Sequence, residues 1–446
     1  MHLVIASHTE PPLPLPRLLA ANNLTNITAS DLRFTLEEAA EFLGGVTGLD
    51  LSSEYIAALE ERTEGWRAGL QLAALSMRER EDISAQVSTF SGTNRHIFDY
   101  LAEEVLDDQD EVTRAFLLRT SILDRLSGPL CDAVTGLGHG QTTLENLERM
   151  NLLMVPLDDQ RRWYRYQHLF AGFLRERLRR ENPTVVSRLH QKAGEWHESN
   201  GTTPEAVGHA LAAGDFERAG VMIEGLRDSM TTRGEVPALV RMVKSLAQEV
   251  LRSRPNLCNM YAIAVLMPAG RLDAAEAWLR NAEQMLSVNG EESAGTREGR
   301  PARAIEVEKE NLAMVVGARA MVAKERGDIQ GSISLHRRAL ELYPGKKHAS
   351  IRGIAAVNLA ECLLDIGELA ARSAIAEAGE TVRAANSPSI IAWSLCLLGQ
   401  LQTIQGHLTE AMEAYNRVLR LAVEVGDARV LMETGAGEDR RFAARA

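Results

Sequence analysis

One short pattern recurs along the second half of this chain: a glycine, an apolar residue two positions later, and a small residue three positions after that. Four complete copies begin at Gly214, Gly270, Gly327 and Gly406. A fifth copy, at Gly367, has Arg372 where the small residue would stand. Glycine permits the tight left-handed turn between two paired helices, and a small residue lets those helices approach closely. The pattern therefore predicts a series of helical hairpins.

The spacing of the copies indicates how these hairpins are arranged. The last three glycines follow one another at intervals of 40 and 39 residues, near the ~34-residue period of tetratricopeptide (TPR) repeats. We therefore predict a TPR-like α-solenoid over residues 184–430, with a polar, glycine-rich loop at 287–303. The earlier glycines are 56 and 57 residues apart, too far for that period, which leaves open unrelated hairpins without superhelical order.

The residues before the repeats are predicted to form two smaller helical units. Thr35 and Glu38 have the spacing of a capping box, which marks a helix start, and more short helices follow up to residue 95. Within 96–183, helices lead to an apolar strand at 152–157, a turn, a returning strand at 163–166 and a final helix at 168–180. Helices followed by a β-hairpin indicate a winged-helix domain.

The first residues have a different character. Residues 3–7 (LVIAS) form a continuously apolar run, which is typical of a strand buried on both faces of a parallel sheet. Four prolines follow between Pro11 and Pro16 and predict an extended loop. A lone strand cannot satisfy its own hydrogen bonds. We therefore interpret 1–30 as the remnant of the last strand and loop of a larger α/β domain.

Composition and motifs argue against catalysis and against several classes of partner. The net charge is −12, without a basic domain of the kind that binds nucleic acid. The four cysteines lie far apart, as expected for reduced thiols in a cytoplasmic protein. No GxxxxGK[ST] phosphate loop and no hydrolase or metalloprotease motif occurs. His190 and His197, seven residues apart on a predicted helix, are interpreted as packing residues rather than metal ligands.

Several segments together resemble one family, the large LuxR-type transcriptional regulators related to the maltose-regulon activator. They include LVIASHTEPPLPLPRL, ALEERTEGWRAGLQLAALS, FDYLAEEVL, LENLERMNLLMVPLDDQRRWYRYQHLFAGFLRERL and HALAAGDFERA. The similarity is dense over residues 3–225 and continues at the level of the repeats. These regulators are similar to signal-transducing ATPases with numerous domains (STAND). They consist of a P-loop ATPase domain, a helical domain, a winged helix, a superhelical sensor and a DNA-binding helix-turn-helix.

The resemblance implies a mainly α chain that is truncated at both ends, because it lacks the Walker motifs and the helix-turn-helix. The predicted domains are the strand remnant (1–30), helical domain (31–95), winged helix (96–183), sensor array (184–430) and tail (431–446). The chain would be the regulatory and signal-sensing portion of an ATP-dependent activator. It would not be an enzyme, and ATP or ADP would belong to the intact family rather than to this chain.

The partners implied by the resemblance lie mainly on the array. A small-molecule inducer or a protein would bind the solenoid, self-association stays open, DNA would be reached only through the missing domain, and no membrane is involved. A stand-alone TPR-like adaptor for protein–protein contacts is the alternative function. The four residues that the resemblance would place near a nucleotide are His8, Gly65, Trp66 and His168. His8 stands where the family usually has an arginine, which weakens nucleotide sensing.

Overall fold

The computed structural model describes ten stretches of the chain. They are residues 4–7, 11, 13–28, 31–47, 51–78, 90–233, 235–292, 302–342, 349–366 and 388–425. The chain divides into two units, Met1–Ala219 and Gly220–Ala446. Each unit is described by itself below. Among the described residues, no helix is both long and apolar enough to cross a membrane.

The described part of the first unit is built from helices and one small sheet. The helices that precede the sheet are α1 (Leu15–Ala20), α2 (Leu36–Thr47), α3 (Ser53–Thr63), α4 (Arg67–Arg78), α5 (Arg95–Leu101), α6 (Glu111–Thr120), α7 (Gly128–Thr135) and α8 (Gly140–Arg149). A π-helical turn, Ala102–Leu106, extends α5. After strands β1 (Met154–Pro156) and β2 (Tyr164–Tyr166) come α9 (His168–Glu181), α10 (Pro183–Ser199) and α11 (Thr203–Ala213).

Local signals in the sequence explain where several of these helices begin and what they bury. The predicted capping box is confirmed: the Thr35 amide donates to Glu38 Oε2 at 2.9 Å, and the Glu38 amide donates to Thr35 Oγ1 at 3.3 Å. Helix α4 buries one apolar face, which consists of Leu70, Ala73, Ala74 and Met77. The same continuous core takes in the aromatic side chains of α9, so that helices α2, α3 and α4 pack against the winged helix.

The predicted β-hairpin is confirmed, with shorter strands. Strands β1 and β2 pair antiparallel, with Val155 opposite Arg165, and Leu126 forms an isolated bridge to Tyr164. The first strand begins only at Met154 because Asn151 and Leu153 adopt left-handed backbone conformations that are incompatible with a strand. Tyr164 and Tyr166 are buried, and Arg165 between them lies on the opposite face of the hairpin.

The second unit consists of helices in its described residues. They are α12 (Phe216–Thr232, which begins in the first unit), α13 (Val236–Lys244), α14 (Gln248–Ser253), α15 (Pro255–Tyr261), α16 (Leu272–Glu292), α17 (Ala302–Glu325), α18 (Ile329–Leu342), α19 (Ala349–Asp365), α20 (Pro388–Ile404) and α21 (Leu408–Val425). A π-helical turn, Ala262–Leu266, follows α15.

The glycine pattern forms the helix-to-helix turns that it predicts. All four glycines of the complete copies have φ between 71° and 82°. In each copy the next residue donates its amide to a carbonyl five residues earlier, as in Asp328 to Ala323 at 2.9 Å, which is a Schellman ending. The small residue of every complete copy is buried. Ser332 shows the close approach directly, since its hydroxyl donates to the Ala320 carbonyl of the preceding helix at 2.8 Å. The fifth copy, at Gly367, lies outside the described residues.

Two predictions for the first thirty residues are wrong where the structure describes them. Residues 4–7 form no strand, and the Val4 side chain is 92% exposed, because no neighbouring strand among the described residues pairs with them. The proline-rich segment is not extended throughout, because helix α1 begins at Leu15. Pro16 lies in the first turn of this helix, where a missing backbone N–H leaves no hydrogen bond unmade.

The predicted loop at 287–303 is also wrong in part. Helix α16 continues to Glu292, and α17 already begins at Ala302. The residues between them lie outside the described part of the chain. Polar composition alone therefore did not end the helix, because a helix supported by packing along its length tolerates a polar last turn.

Candidate functional site

A tight turn after helix α3 forms the best-defined polar cluster near the predicted site residues. Glu64 ends α3 with φ 53° and ψ 40°, and Gly65 follows with φ 68°. The Phe34 amide donates to the Gly65 carbonyl at 2.9 Å. A Cβ added to Gly65 would lie 2.4 Å from the Phe34 carbonyl oxygen, so only glycine fits here. The turn therefore fixes the direction in which the Glu64 side chain leaves the backbone.

The Glu64 carboxylate lies at the start of the last winged-helix helix, α9. Arg165 on strand β2 binds it with two parallel hydrogen bonds, Nη1 to Oε1 and Nη2 to Oε2, both 2.8 Å. The His168 backbone N–H donates to Oε1 at 2.9 Å, and the His168 ring Nδ1 lies 3.4 Å from the same oxygen. Arg33 approaches Oε2 at 3.5 Å. We call Glu64, Arg165 and His168 the Glu64 cluster.

The electrostatics of the Glu64 cluster favour an ionised carboxylate. The Glu64 side chain is only 8% exposed, and burial by itself would raise its pKa. The hydrogen bonds from Arg165 and from the His168 amide outweigh that effect, so the pKa lies below its usual value. The same pairing raises the pKa of Arg165. A bidentate arginine pair that is largely withdrawn from water holds its two partners in one geometry.

A second side chain joins the end of α3 to the start of α9. Gln167, which precedes α9, donates from Nε2 to the carbonyl of Thr63 at 2.7 Å. Gln167 is buried. The end of α3 and the start of α9 are therefore joined by the side chains of both Gln167 and Glu64. The two contacts connect residues that are more than 100 positions apart in the chain.

The structure brings some of the predicted site residues together. Gly65 follows Glu64 in the chain, the His168 backbone N–H binds the Glu64 carboxylate, and the His168 side chain is 64% exposed. The Trp66 ring packs against Tyr100 with centroids 5.8 Å apart. His8 lies outside the described residues. A role of these four residues in nucleotide contact stays a prediction.

Two anion-binding groups of the cluster are already taken up by a protein carboxylate. The groups best suited to an anion are the Arg165 guanidinium and the N–H at the start of α9. Both bind the Glu64 carboxylate instead. No ATP-dependent step is therefore assigned to this cluster, which is suited to positioning two helices.

Sequence reasoning missed Glu64 and Arg165, although both lie in segments that carry the family resemblance. One signal was present, since Arg165 stands between two tyrosines on a predicted strand and must face away from them. No comparable signal pairs it with a glutamate 101 residues earlier. Single-sequence patterns report periodicity within an element and do not report which elements meet.

A second polar cluster lies in a cavity of about 770 Å³ within the first unit. His190 and His209 approach each other with their Nδ1 atoms 2.9 Å apart, and the His197 ring stacks on His209 with centroids 5.3 Å apart. Burial lowers the pKa of all three rings, that of His209 to about 4. In the described part of the chain, no group of three or more His, Cys, Asp or Glu side chains could hold a metal ion. Both predicted histidines, His190 and His197, contact His209, which the sequence analysis did not single out.

Comparisons with known proteins agree with these structural features. The MalT winged helix domain matches residues 102–186, and the MalT-like TPR region matches residues 313–436. The HTH-type transcriptional regulator MalT of Klebsiella pneumoniae is 30% identical over 428 residues, which are 95% of this chain and 45% of that regulator. The serine/threonine-protein kinase PknK of Mycobacterium tuberculosis is 35% identical over 289 residues, covering 64% of this chain and 26% of the kinase.

A solved structure supports the fold. The crystal structure of a STAND protein with a tetratricopeptide repeat sensor, from Pyrococcus horikoshii, aligns with a TM-score of 0.53. It covers 90% of this chain and 56% of that protein, at 14% sequence identity. The chain spans less than half the length of the MalT and PknK relatives. The chain is therefore similar to MalT along 95% of its length, and its winged-helix and repeat regions each match a MalT domain.

Proposed function

We propose that this chain is the regulatory and signal-sensing portion of a transcriptional activator. The observation that carries the proposal is the presence, in one chain and in this order, of a MalT winged helix and a MalT-like TPR region. In the proposal the domains are those predicted above, the location is the cytoplasm, and the array binds an inducer or a protein partner. Nucleotide chemistry and DNA binding belong to other parts of the regulator.

The Glu64 cluster has a positioning role in this proposal. It joins the turn after α3 to the first residue of α9 through a largely buried, bidentate ion pair. A regulator that changes state must move whole domains, and rigid junctions let such motion be transmitted rather than absorbed locally. The exposed His168 ring would then face the nucleotide-dependent part of the regulator, as the family resemblance implies.

The test is a transcriptome of the source organism with the coding sequence for residues 1–446 deleted in frame. We expect a small, defined set of transcripts to fall, and the intact gene supplied on a plasmid to restore them. An unchanged transcriptome would contradict the regulatory function. The adaptor alternative predicts that unchanged transcriptome together with a defined protein captured on the repeat array.

The Glu64 cluster can be tested in the same strain. A gene carrying Arg165→Met is expected to restore little of the transcript set, because its buried carboxylate loses its partner. Arg162→Met is the matched control, since Arg162 lies on the same hairpin and pairs with Asp158 at the surface. Immunoblots must show equal amounts of the two variants. Full restoration by Arg165→Met would remove the positioning role from the proposal.

A further inference from the structure

A cavity of about 330 Å³ lies within the second unit, among helices of the repeat array. Its walls come from α12, α13, α15, α17, α18 and α19, together with the π-helical turn after α15. Small-molecule sites in proteins have volumes of ~300–1,000 Å³, so this cavity is at the small end of that range. An α-helix with its side chains is ~10–12 Å across, which is too thick for a space of this size.

Most of the residues that line the cavity are apolar, and the four polar ones are Arg227, Asn259, His336 and Asn358. All but four of the residues that line it are aliphatic, methionine, alanine or glycine, and they include Leu239, Val243 and Ile263. Three of them are methionines, Met260, Met314 and Met321. Methionine is unbranched and polarizable, so a methionine-rich wall can adapt its shape to a bound molecule. These walls favour an apolar body and disfavour a sugar, whose hydroxyl groups would lose their hydrogen bonds to water.

One buried polar side chain in this apolar wall has unusual surroundings. His336 of α18 is 1% exposed and lines the cavity. Within the described part of the chain, neither of its ring nitrogens has a hydrogen-bond partner. A buried donor and acceptor without partners destabilise a fold, because each has lost its hydrogen bonds to water. Nearly all such groups in native proteins are paired, so an exception needs an explanation.

The protonation state of His336 defines what could pair with it. Burial, with a smaller contribution from Lys324, lowers the pKa of the ring to about 4. The ring is therefore neutral near pH 7, with one nitrogen as donor and the other as acceptor. Asn259, another cavity-lining residue, has a buried side-chain oxygen that also lacks a partner among the described residues. Among the lining atoms without a partner, the cavity thus offers one N–H donor and two acceptors, from His336 and Asn259.

We propose that this cavity binds a small, uncharged and mostly apolar molecule whose hydroxyl or amide group hydrogen-bonds to His336. The inference rests on the proposed sensor function and gives the array's inducer a chemical class. A ligand of this kind would bury its apolar body against the methionines and would satisfy ring nitrogens that have no protein partner. Its binding would therefore stabilise the helices that line the cavity.

The test is a fluorescence titration of the purified 446-residue chain with 2-naphthol, which has an apolar ring system and one hydroxyl. Naphthalene has the same rings without the hydroxyl, and glucose has hydroxyls without an apolar body. We expect saturable binding of 2-naphthol, about fivefold weaker binding of naphthalene because one hydrogen bond is missing, and none of glucose. Absence of saturable binding by 2-naphthol, or equal binding of glucose, would overturn the proposal.

Two variants locate the binding. Gly317 lines the cavity in the middle of α17, and a Cβ added there meets nothing within 4 Å, so Gly317→Leu is expected to fill the space. Gly225→Leu is the matched control, because Gly225 is also a helical glycine with open space and does not line the cavity. We expect Gly317→Leu to weaken 2-naphthol binding at least tenfold and Gly225→Leu to leave it unchanged. Unchanged binding by Gly317→Leu would contradict the assignment.

The hydrogen bond is tested by His336→Phe, which keeps a ring of similar size and removes both nitrogens. Its expected result is equal affinity for 2-naphthol and naphthalene, with a higher melting temperature than the wild-type chain. A retained preference for 2-naphthol would overturn the role of His336. These titrations contain no promoter, so their failure would leave a positive transcriptome result intact. A negative transcriptome would likewise not alter measured binding.

Discussion

Replacement of Arg165 by methionine should destabilise the first unit more than replacement of its partner Glu64 by glutamine. Methionine retains much of the arginine's apolar stem and removes the charge. It leaves the Glu64 carboxylate, which is 8% exposed, without its bidentate partner. Glu64→Gln keeps the shape of the side chain and removes the charge itself. The two substitutions break the same contact and leave different groups buried.

The structure sets the size of the difference. Removal of one partner from a fully buried ion pair costs ~3–5 kcal/mol of unfolding free energy. The Arg165 side chain is 25% exposed, and Arg33 and the His168 amide still face the carboxylate, so about 2–3 kcal/mol is expected for Arg165→Met. Glu64→Gln should cost about 1–2 kcal/mol, the loss of charge from two hydrogen bonds. The variant that combines Arg165→Met and Glu64→Gln should lose less unfolding free energy than the two single losses added together, by about 1 kcal/mol or more.

The assay is urea unfolding followed by tryptophan fluorescence, combined with hydrogen exchange of peptides that cover residues 60–70 and 164–170. Exchange reports on the junction even when the two units unfold separately. Arg162→Met is the control, because its surface pair with Asp158 should contribute less than ~1 kcal/mol. An Arg165→Met variant no less stable than this control, with unchanged exchange at His168, would refute the reasoning.

The same variant should change the acid stability. The pKa of Glu64 is lowered in the folded chain, so its contribution is present above the unfolded value of ~4.3 and is lost as the pH falls through the folded value. Without Arg165 the folded pKa rises and this contribution disappears. The difference in unfolding free energy between the wild-type chain and Arg165→Met should therefore be largest near neutral pH and should shrink below pH ~4. A difference that is constant from pH 7 to pH 3 would contradict an ionic origin.

Three further predictions concern turns and histidines. Gly65→Ala should lower the free energy of unfolding by about 3 kcal/mol, seen as a lower melting temperature. The reason is that a Cβ would lie 2.4 Å from the Phe34 carbonyl oxygen and that φ is 68°. Gly327→Ala should cost only about 1 kcal/mol in urea unfolding, since φ is 82° but a Cβ would meet nothing within 4 Å. The neutral His209 should make the first unit less stable as the pH falls from ~6.5 towards 4, because the unfolded chain takes up protons first. His209→Phe should make that pH dependence shallower, because His190 and His197 still contribute, and an unchanged profile would exclude His209 as a source.

The repeat architecture could be predicted from the sequence because its cause is local. A glycine at each helix end permits a left-handed turn, and the small residue five positions later permits close packing, so both are visible within six residues. The structure places all four complete copies as predicted. The winged helix was predictable for a similar reason, since two short apolar strands and their turn are contiguous in the chain.

The predictions that failed depended on partners outside the local sequence. Residues 4–7 have the composition of a buried strand, but a strand exists only where another strand accepts its hydrogen bonds. Pro16 belongs to a proline-rich segment that is typical of a loop, but a proline in the first helical turn interrupts no backbone hydrogen bond. The Glu64 cluster depends on a pairing across 101 residues that no periodicity encodes.

The Glu64 cluster and the His336 cavity differ in whether the protein itself supplies hydrogen-bond partners for the buried polar group. Glu64 is nearly buried, and all its strong partners are residues of this chain, so its energy is spent on holding two elements in one arrangement. His336 is buried more completely, and neither of its nitrogens is paired within the described residues. A paired charge stabilises a junction permanently, whereas an unpaired ring in an apolar cavity stabilises the chain only when a suitable molecule binds. A sensor requires the second kind of site, because its stability must depend on whether the signal is present.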